Sequence, residues 1–297
     1  MIRKYRFGNP LNTEAVVEDY PCEKGGVPYV EVREGKEISF VMTQNAPVYG
    51  LGEQVRGINK RGWLYISNCT DDPNHREDTH SLYAAHNFLL FAEKEPFGIF
   101  FDNPGKVSFD IGYTRQDTVK ITMESWDMDL YVIDGKDLLD IVRQFRHMIG
   151  RSYIPPKWAF GFGQSRWGYE SAEDIREVER RYRELGIPLD SIYLDIDYME
   201  RFKDFTVNNE TFPEFDKFVK EMQEKHIHLV PIIDAGVKIE EGYPVYEEGL
   251  EKGYFCKDSE GKEFVAAVWP GRVHFPDMLN PEARRWSGLK YKFLLDQ

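Results

Sequence analysis

Tyr193-Leu194-Asp195-Ile196-Asp197-Tyr198-Met199 constrains this chain more than any other stretch, because it reads as a short apolar strand whose carboxyl end carries two aspartates. Side chains alternate faces along a strand, so Asp195 and Asp197 are expected to point the same way, about 6–7 Å apart. A second strand-like run, His228 to Asp234, also ends in an aspartate, and an earlier one, Trp158 to Gly163, runs into Gln164-Ser165-Arg166-Trp167. Three buried strands that end in polar or aromatic groups, with helices between them, predict the opening of a (β/α) barrel. That fold gathers its functional groups at the carboxyl ends of its strands. The pattern implies part of an enzyme.

The intervening segments carry helix signals. Ser171 with Asp174 forms a capping-box pattern, Ile175, Val178, Tyr182 and Leu185 fall on one face, and Gly186 with Pro188 ends the helix. Phe215, Phe218, Val219 and Met222 repeat the helical spacing, and Asn280 followed by Pro281 marks another helix start. Between the third strand and that start, about Ala235 to Asp277 reads as one long loop, a length usually reserved for function. Three strand–helix units occupy roughly residues 157–297, whereas a closed barrel needs eight, so at ~30 residues per unit about five more are expected. A three-stranded parallel sheet would leave an open edge. We therefore expect the sequence to be the amino-terminal part of something larger.

Pro155-Pro156 separates this region from an all-β first half, giving expected domains at 1–150 and 151–297. Val30 and Val32, the turn Glu34-Gly35-Lys36, then Ile38, Phe40 and Met42 read as a hairpin. Val107, Phe109 and Ile111 and then Val119, Ile121 and Met123 repeat the alternation, and Asn87–Ala92 and Phe97–Asn103 are apolar runs between turns. Many short strands at regular spacing predict a β-sandwich. One helix, Lys136 to about Ile149, leads out of it. Taken alone, such a domain fits a carbohydrate-binding module, a structural partner or a lid. The segment Asn68 to Asp78 is a polar, turn-rich loop, and Tyr49-Gly50-Leu51-Gly52-Glu53 lacks the lysine and serine of a phosphate-binding loop.

Composition narrows the function classes. The formal charge of −13 excludes a chain built to grip nucleic acid and disfavours anionic membranes and strongly acidic substrates. A neutral ligand fits best. Hydrophobic residues at 41% suffice for a core, and the 20 Phe, 17 Tyr and 6 Trp supply flat apolar faces, most of them expected inside it. Three widely spaced cysteines, Cys22, Cys69 and Cys256, form neither a disulfide framework nor a metal-ligand spacing. With no secretory signal at Met1 to Phe7 and no apolar run of membrane-spanning length, a cytoplasmic location is expected.

Five ordered motifs then carry a resemblance. Tyr49-Gly50-Leu51-Gly52-Glu53, Phe97 to Asn103, Pro155 to Ala159 through Gln164 to Tyr169, Leu194 to Met199, and Val268-Trp269-Pro270-Gly271 with Phe275-Pro276-Asp277 together resemble glycoside hydrolase family 31, the α-glucosidase family. Over nearly the whole chain, the resemblance implies a β-sandwich followed by the first part of a (β/α)8 barrel. It further implies an enzyme that retains anomeric configuration and releases terminal α-linked glucose from short oligosaccharides, α-1,4 or α-1,6. Such an enzyme uses one carboxylate as nucleophile and another as acid/base. The family's nucleophile lies in a Trp-x-Asp-Met-Asn-Glu-Pro motif on the fourth barrel strand. That motif does not occur in this sequence, so both catalytic aspartates are expected after Gln297 and none within the chain.

The same resemblance assigns half of a sugar pocket. Asp195 would accept hydrogen bonds from the terminal glucose, Ile196 would be an apolar wall, and Asp197 would support Asp195 without touching sugar. Trp167, where many relatives carry tyrosine, and Trp269 would place aromatic rings at the pocket. Ile232 and Asp234 would close its wall, and Asp71, with Asp72 as the adjacent alternative, would be the sandwich's contribution. No metal and no organic cofactor is implied. The expected partner is a neutral oligosaccharide, with no nucleic acid and no membrane, and a homo-oligomer is left open. An α-xylosidase of the same family is the nearest alternative, although Ile196-Asp197 is the glucosidase-type pair where xylosidase-type relatives tend to carry Cys-Phe. A noncatalytic sugar-binding fragment is the second alternative. Asp195 and Asp197 acting as their own acid/base pair is disfavoured, since neighbours on one strand cannot flank opposite sides of a glycosidic bond.

Overall fold

Continuous and alternating apolar runs fold differently in the first half, and the difference shows which sheet is covered on both faces. The computed structural model describes Met1 to Asp296 and divides the chain into two compact units, Met1–Ser152 and Tyr153–Gln297. In the first unit the strands are β1 (Ile2–Phe7), β2 (Glu31–Arg33), β3 (Glu37–Val41), β4 (Val48–Gly50), β5 (Trp63–Ser67), β6 (Phe88–Phe91), β7 (Phe97–Asp102), β8 (Val107–Ile111), β9 (Thr118–Met123) and β10 (Met128–Asp134), followed by helix α1 (Leu138–Met148). They form two antiparallel five-stranded sheets, ordered β1-β10-β7-β6-β4 and β2-β3-β9-β8-β5. The hairpin expected around Gly35 is β2–β3, with Val32 opposite Ile38.

One core takes side chains from both sheets, including Leu89, Phe91, Phe97, Ile99 and Leu130 from the first and Ile38, Phe109, Val119 and Ile121 from the second. This is the interior of a β-sandwich. The second sheet keeps its outer face wet, so β8 and β9 alternate. The first sheet has α1 on its outer face, where Ile141, Phe145 and Met148 pack on Phe88, Phe100, Tyr131 and Ile133. Phe88 and Phe145 stack at 3.9 Å between ring centroids. Burial on both faces is why β6, β7 and β10 are apolar at nearly every position. Gly98 permits the approach, since a Cβ there would lie 2.7 Å from Ile141 Cγ2.

In the second unit β11 (Gly163–Gln164), α2 (Ala172–Glu184), β12 (Ser191–Leu194), α3 (Phe215–Glu224) and β13 (His228–Pro231) build a parallel sheet, β11-β12-β13, with Ser191 opposite both Gly163 and His228. Both helices pack their predicted faces on it through Ile175, Phe215, Phe218 and Met222 against Ile192 and Leu194. The Ser171–Asp174 capping box is present, and Leu185 is the exception, exposed at the end of α2.

Two expectations are corrected. Trp158 to Gly163 is not a strand: Lys157–Phe160 winds into a 3-10 turn directly after Pro156, whose fixed φ of −63° starts it, and pairing begins only at Gly163. Phe160 and Phe162 are accordingly exposed. The stretch from Ala235 to Asp277 is not a bare loop. It contains β14 (Val237–Lys238), α4 (Pro244–Glu251), β15 (Ala266–Val268) and β16 (Gly271–His274), with the three strands paired antiparallel in the order β14-β16-β15. Val237, Tyr243, Val245 and Phe255 form a small core there with Trp286 of α5 (Pro281–Lys290). The Asn280 cap is present, its side chain accepting from the Glu282 amide at 2.9 Å, and a last turn α6 (Lys292–Leu295) follows. Among the described residues no helix is long and apolar enough to cross a membrane.

Candidate active site

The carboxyl ends of β12 and β13 bring Asp195 and Asp234 into one neighbourhood. The two strands pair in parallel, and the Ile232 amide extends the ladder by donating to the Leu194 carbonyl at 3.0 Å. Both carboxyl groups are partly buried. Burial, and then the negative charge of Asp195, push the Asp234 carboxyl above the usual range. Asp234 thus senses both the low dielectric of the sheet end and the charge of Asp195, and the two carboxyl groups form a small acidic centre.

Asp195 and Asp197 do not sit as the strand argument required. β12 stops at Leu194, and Asp195 instead caps a 3-10 helix, Ile196–Tyr198, its Oδ1 accepting from the Ile196 amide at 2.7 Å. A residue whose carboxylate can satisfy the first free amide of a turn favours that turn over further extension. Asp197 lies inside the turn, and its Oδ2 accepts from the Gly168 amide at 3.2 Å. It thereby ties the turn to the residue next to Trp167.

The remaining predicted positions range from exposed to buried. Trp167 and Trp269 are largely exposed at 68% and 70%, and Ile232 is exposed at 37%. Trp269 and Pro270 form the two-residue tip of the β15–β16 hairpin, where Val268 pairs with Gly271 and Gly271 adopts φ +97°. Ile196, expected as a wall, is buried. In the sandwich unit, Asp71 and Asp72 lie exposed in the turn-rich segment after β5; Asp72 accepts from the Asn74 amide, which holds its carboxyl below the usual range.

Sequence reasoning missed Asp204. Its side chain is only 2% exposed, its Oδ1 accepts from the Asp234 amide at 3.0 Å, and burial pushes its carboxyl up to about 7. Tyr198 and Tyr243 were missed too. The Tyr198 hydroxyl donates to the Ile232 carbonyl at 2.8 Å and the Tyr243 hydroxyl to the Asp204 carbonyl at 2.7 Å. Asp204 and Asp234 share a cavity of about 310 Å³ with Phe205, Phe275, Trp286 and Tyr291. A roomier cleft of about 590 Å³, between Glu248, Lys252, Arg285 and Lys290, contains none of the predicted site residues. Of its two acids, Glu248 is committed to ion pairs, since Lys252 and Lys290 lower it to about 2, and Glu282 lies exposed in the first turn of α5. Among the described residues no group of three or more His, Cys, Asp or Glu side chains is arranged to hold a metal ion.

Comparison with known proteins decides the family. Residues 152–297 match the model of the glycosyl hydrolases family 31 TIM-barrel domain, and residues 7–110 match that of the glycosyl hydrolase 31 N-terminal galactose mutarotase-like domain. The chain belongs to glycoside hydrolase family 31. Within that family it is 38% identical over 266 residues to alpha-glucosidase 2 of Bacillus thermoamyloliquefaciens, a match covering 89% of this chain and 34% of that protein. It is 32% identical over 269 residues to alpha-xylosidase 1 of Arabidopsis thaliana, covering 86% and 28% respectively. The structure of a family 31 dextranase from Flavobacterium johnsoniae complexed with glucose matches with a TM-score of 0.79 at 27% identity, over 91% of this chain and 33% of that one. The chain spans about a third of the length of the curated relatives it matches.

Proposed function

We propose that this chain supplies the glucose-recognising half of an α-glucosidase active site. The whole protein releases terminal α-linked glucose from short neutral oligosaccharides by double displacement, with both catalytic aspartates beyond Gln297. The observation that carries this reading is the pair Asp195 and Asp234, coupled through their charges at the ends of adjacent parallel strands. A fixed, partly desolvated carboxylate discriminates hydroxyl stereochemistry, because a misplaced hydroxyl leaves a charged acceptor unpaired. Trp167 and Trp269 offer exposed aromatic faces against which the apolar face of a sugar ring packs. Asp197 keeps the Asp195 turn in place through Gly168. The net charge of −13 suits a neutral substrate, and three unpaired cysteines suit the cytoplasm.

The likeness to an α-xylosidase supports a second reading, in which the sugar lacks the hydroxymethyl group of glucose. Rates of the full-length protein on 4-nitrophenyl α-glucoside and α-xyloside separate the two. The glucosidase reading predicts kcat/KM at least about tenfold higher on the glucoside, the discrimination typical of one carbon-sized group in a pocket. A preference for the xyloside would replace it with the second reading.

A further inference from the structure

The loop between the turn that Asp195 caps and α3 is stitched to the segment that follows β13. Arg201, Phe202 and Phe205 in this loop hold left-handed backbone conformations, with φ of +51°, +60° and +58°. Non-glycine residues stay in that region only where surrounding contacts enforce it. Those contacts are on view. Tyr198 bonds the Ile232 carbonyl, Tyr243 bonds the Asp204 carbonyl, and Arg201, Lys203 and Lys238 converge on the Glu240 carboxylate, with Lys203 at 3.3 Å and Lys238 at 3.1 Å. At the centre, the buried Asp204 carboxylate receives the Asp234 amide.

A carboxyl this deeply buried is costly unless its bonds are specific. Tyr198, Tyr243 and Asp234 are the titratable groups whose charges it feels or perturbs, and Lys290 lines the same cavity. None of these is an ion-pair partner of the kind that holds Glu240. What Asp204 gains is the one hydrogen bond to the residue on which the acidic centre depends. We propose that Asp204 is a positioning residue, which fixes the backbone of Asp234 so that the Asp234 carboxylate meets the bound sugar at a set distance from Asp195. The inference rests on the α-glucosidase reading and adds a residue to it.

The test uses the full-length protein with Asp204→Ala and Asp204→Asn. Alanine frees the Asp234 amide, whereas asparagine keeps an oxygen acceptor in place. For Asp204→Ala we expect kcat/KM on 4-nitrophenyl α-glucoside to fall roughly 100-fold, mainly through KM, as a small misplacement of a recognition group does. Affinity for the iminosugar 1-deoxynojirimycin should weaken in parallel, and Asp204→Asn should restore most of both. Alanine and asparagine variants equally impaired, or an alanine variant with wild-type KM and iminosugar affinity, would overturn the positioning role. A wild-type protein that binds the iminosugar but leaves the glucoside intact would overturn the α-glucosidase reading alone, with the iminosugar series still deciding on Asp204. A wild-type protein that binds neither would overturn both.

Discussion

Replacing Asp195 with alanine in the full-length protein is expected to lower kcat/KM for an aryl α-glucoside by about a thousandfold, or about 4 kcal/mol of transition-state stabilisation. The figure follows from what a charged acceptor contributes. Each hydrogen bond to a charged acceptor is worth about 1.5–3 kcal/mol, so two such bonds from a bound sugar would account for it. The expected cost in stability is smaller. Asp195 caps a single turn through the Ile196 amide at 2.7 Å, and losing such a cap removes about 1 kcal/mol. Kinetics and unfolding therefore separate the two roles: a large loss of kcat/KM beside a small shift in urea midpoint. A variant with near-normal kcat/KM would remove Asp195 from the pocket.

Asp204 gives the second large effect, this one in stability, beside the kinetic loss expected of Asp204→Ala. Its carboxyl titrates near 7 in the folded chain, above the ordinary 3.8 that applies when unfolded. Between those values the folded state holds a proton that the unfolded state releases. This contribution to stability is complete below about pH 4 and is lost as pH rises through about 7. About three pH units correspond to on the order of 4 kcal/mol. The Asp234 carboxyl, also raised, titrates in the same direction, so the clean quantity is the difference between wild type and Asp204→Asn, in which one position has lost its proton equilibrium. The variant should gain stability relative to wild type from about pH 4 to about pH 7 and then level off, by on the order of 4 kcal/mol in all, in the calorimetric transition of the barrel unit. A difference that stays flat across that range would show that Asp204 titrates as an ordinary carboxylate.

Much of this architecture was readable from residue order, for identifiable reasons. The strands of the sandwich announced themselves because the sheet of β8 and β9 has one wet face, which enforces alternation. Helix α2 was readable from Ser171 and Asp174, since a capping box is a local bargain between two side chains and two amides. The misreadings came where local apolar content and pairing part company. Trp158 to Phe162 is apolar enough for a strand, yet a turn follows Pro156 and Phe160 and Phe162 stay exposed. Residues 235–277 hide three strands because none exceeds four residues, too short for a period to show. At the site, Asp195 and Asp234 were legible as acids that end apolar runs. Asp204 was not, because it follows Lys203 in a charged stretch that reads as solvated. Its burial and its bond to the Asp234 amide, both tertiary, distinguish it from a surface aspartate.

The most direct measurement is hydrolysis of 4-nitrophenyl α-glucoside by residues 1–297 alone, beside a form extended through the remaining barrel units. The account predicts turnover by the extended form and none by the shorter one, with Asp195 and Asp234 serving as binding groups for catalytic aspartates supplied after Gln297. Genuine turnover by residues 1–297 would contradict it, since the nucleophile and acid/base would then lie among the carboxylates already described.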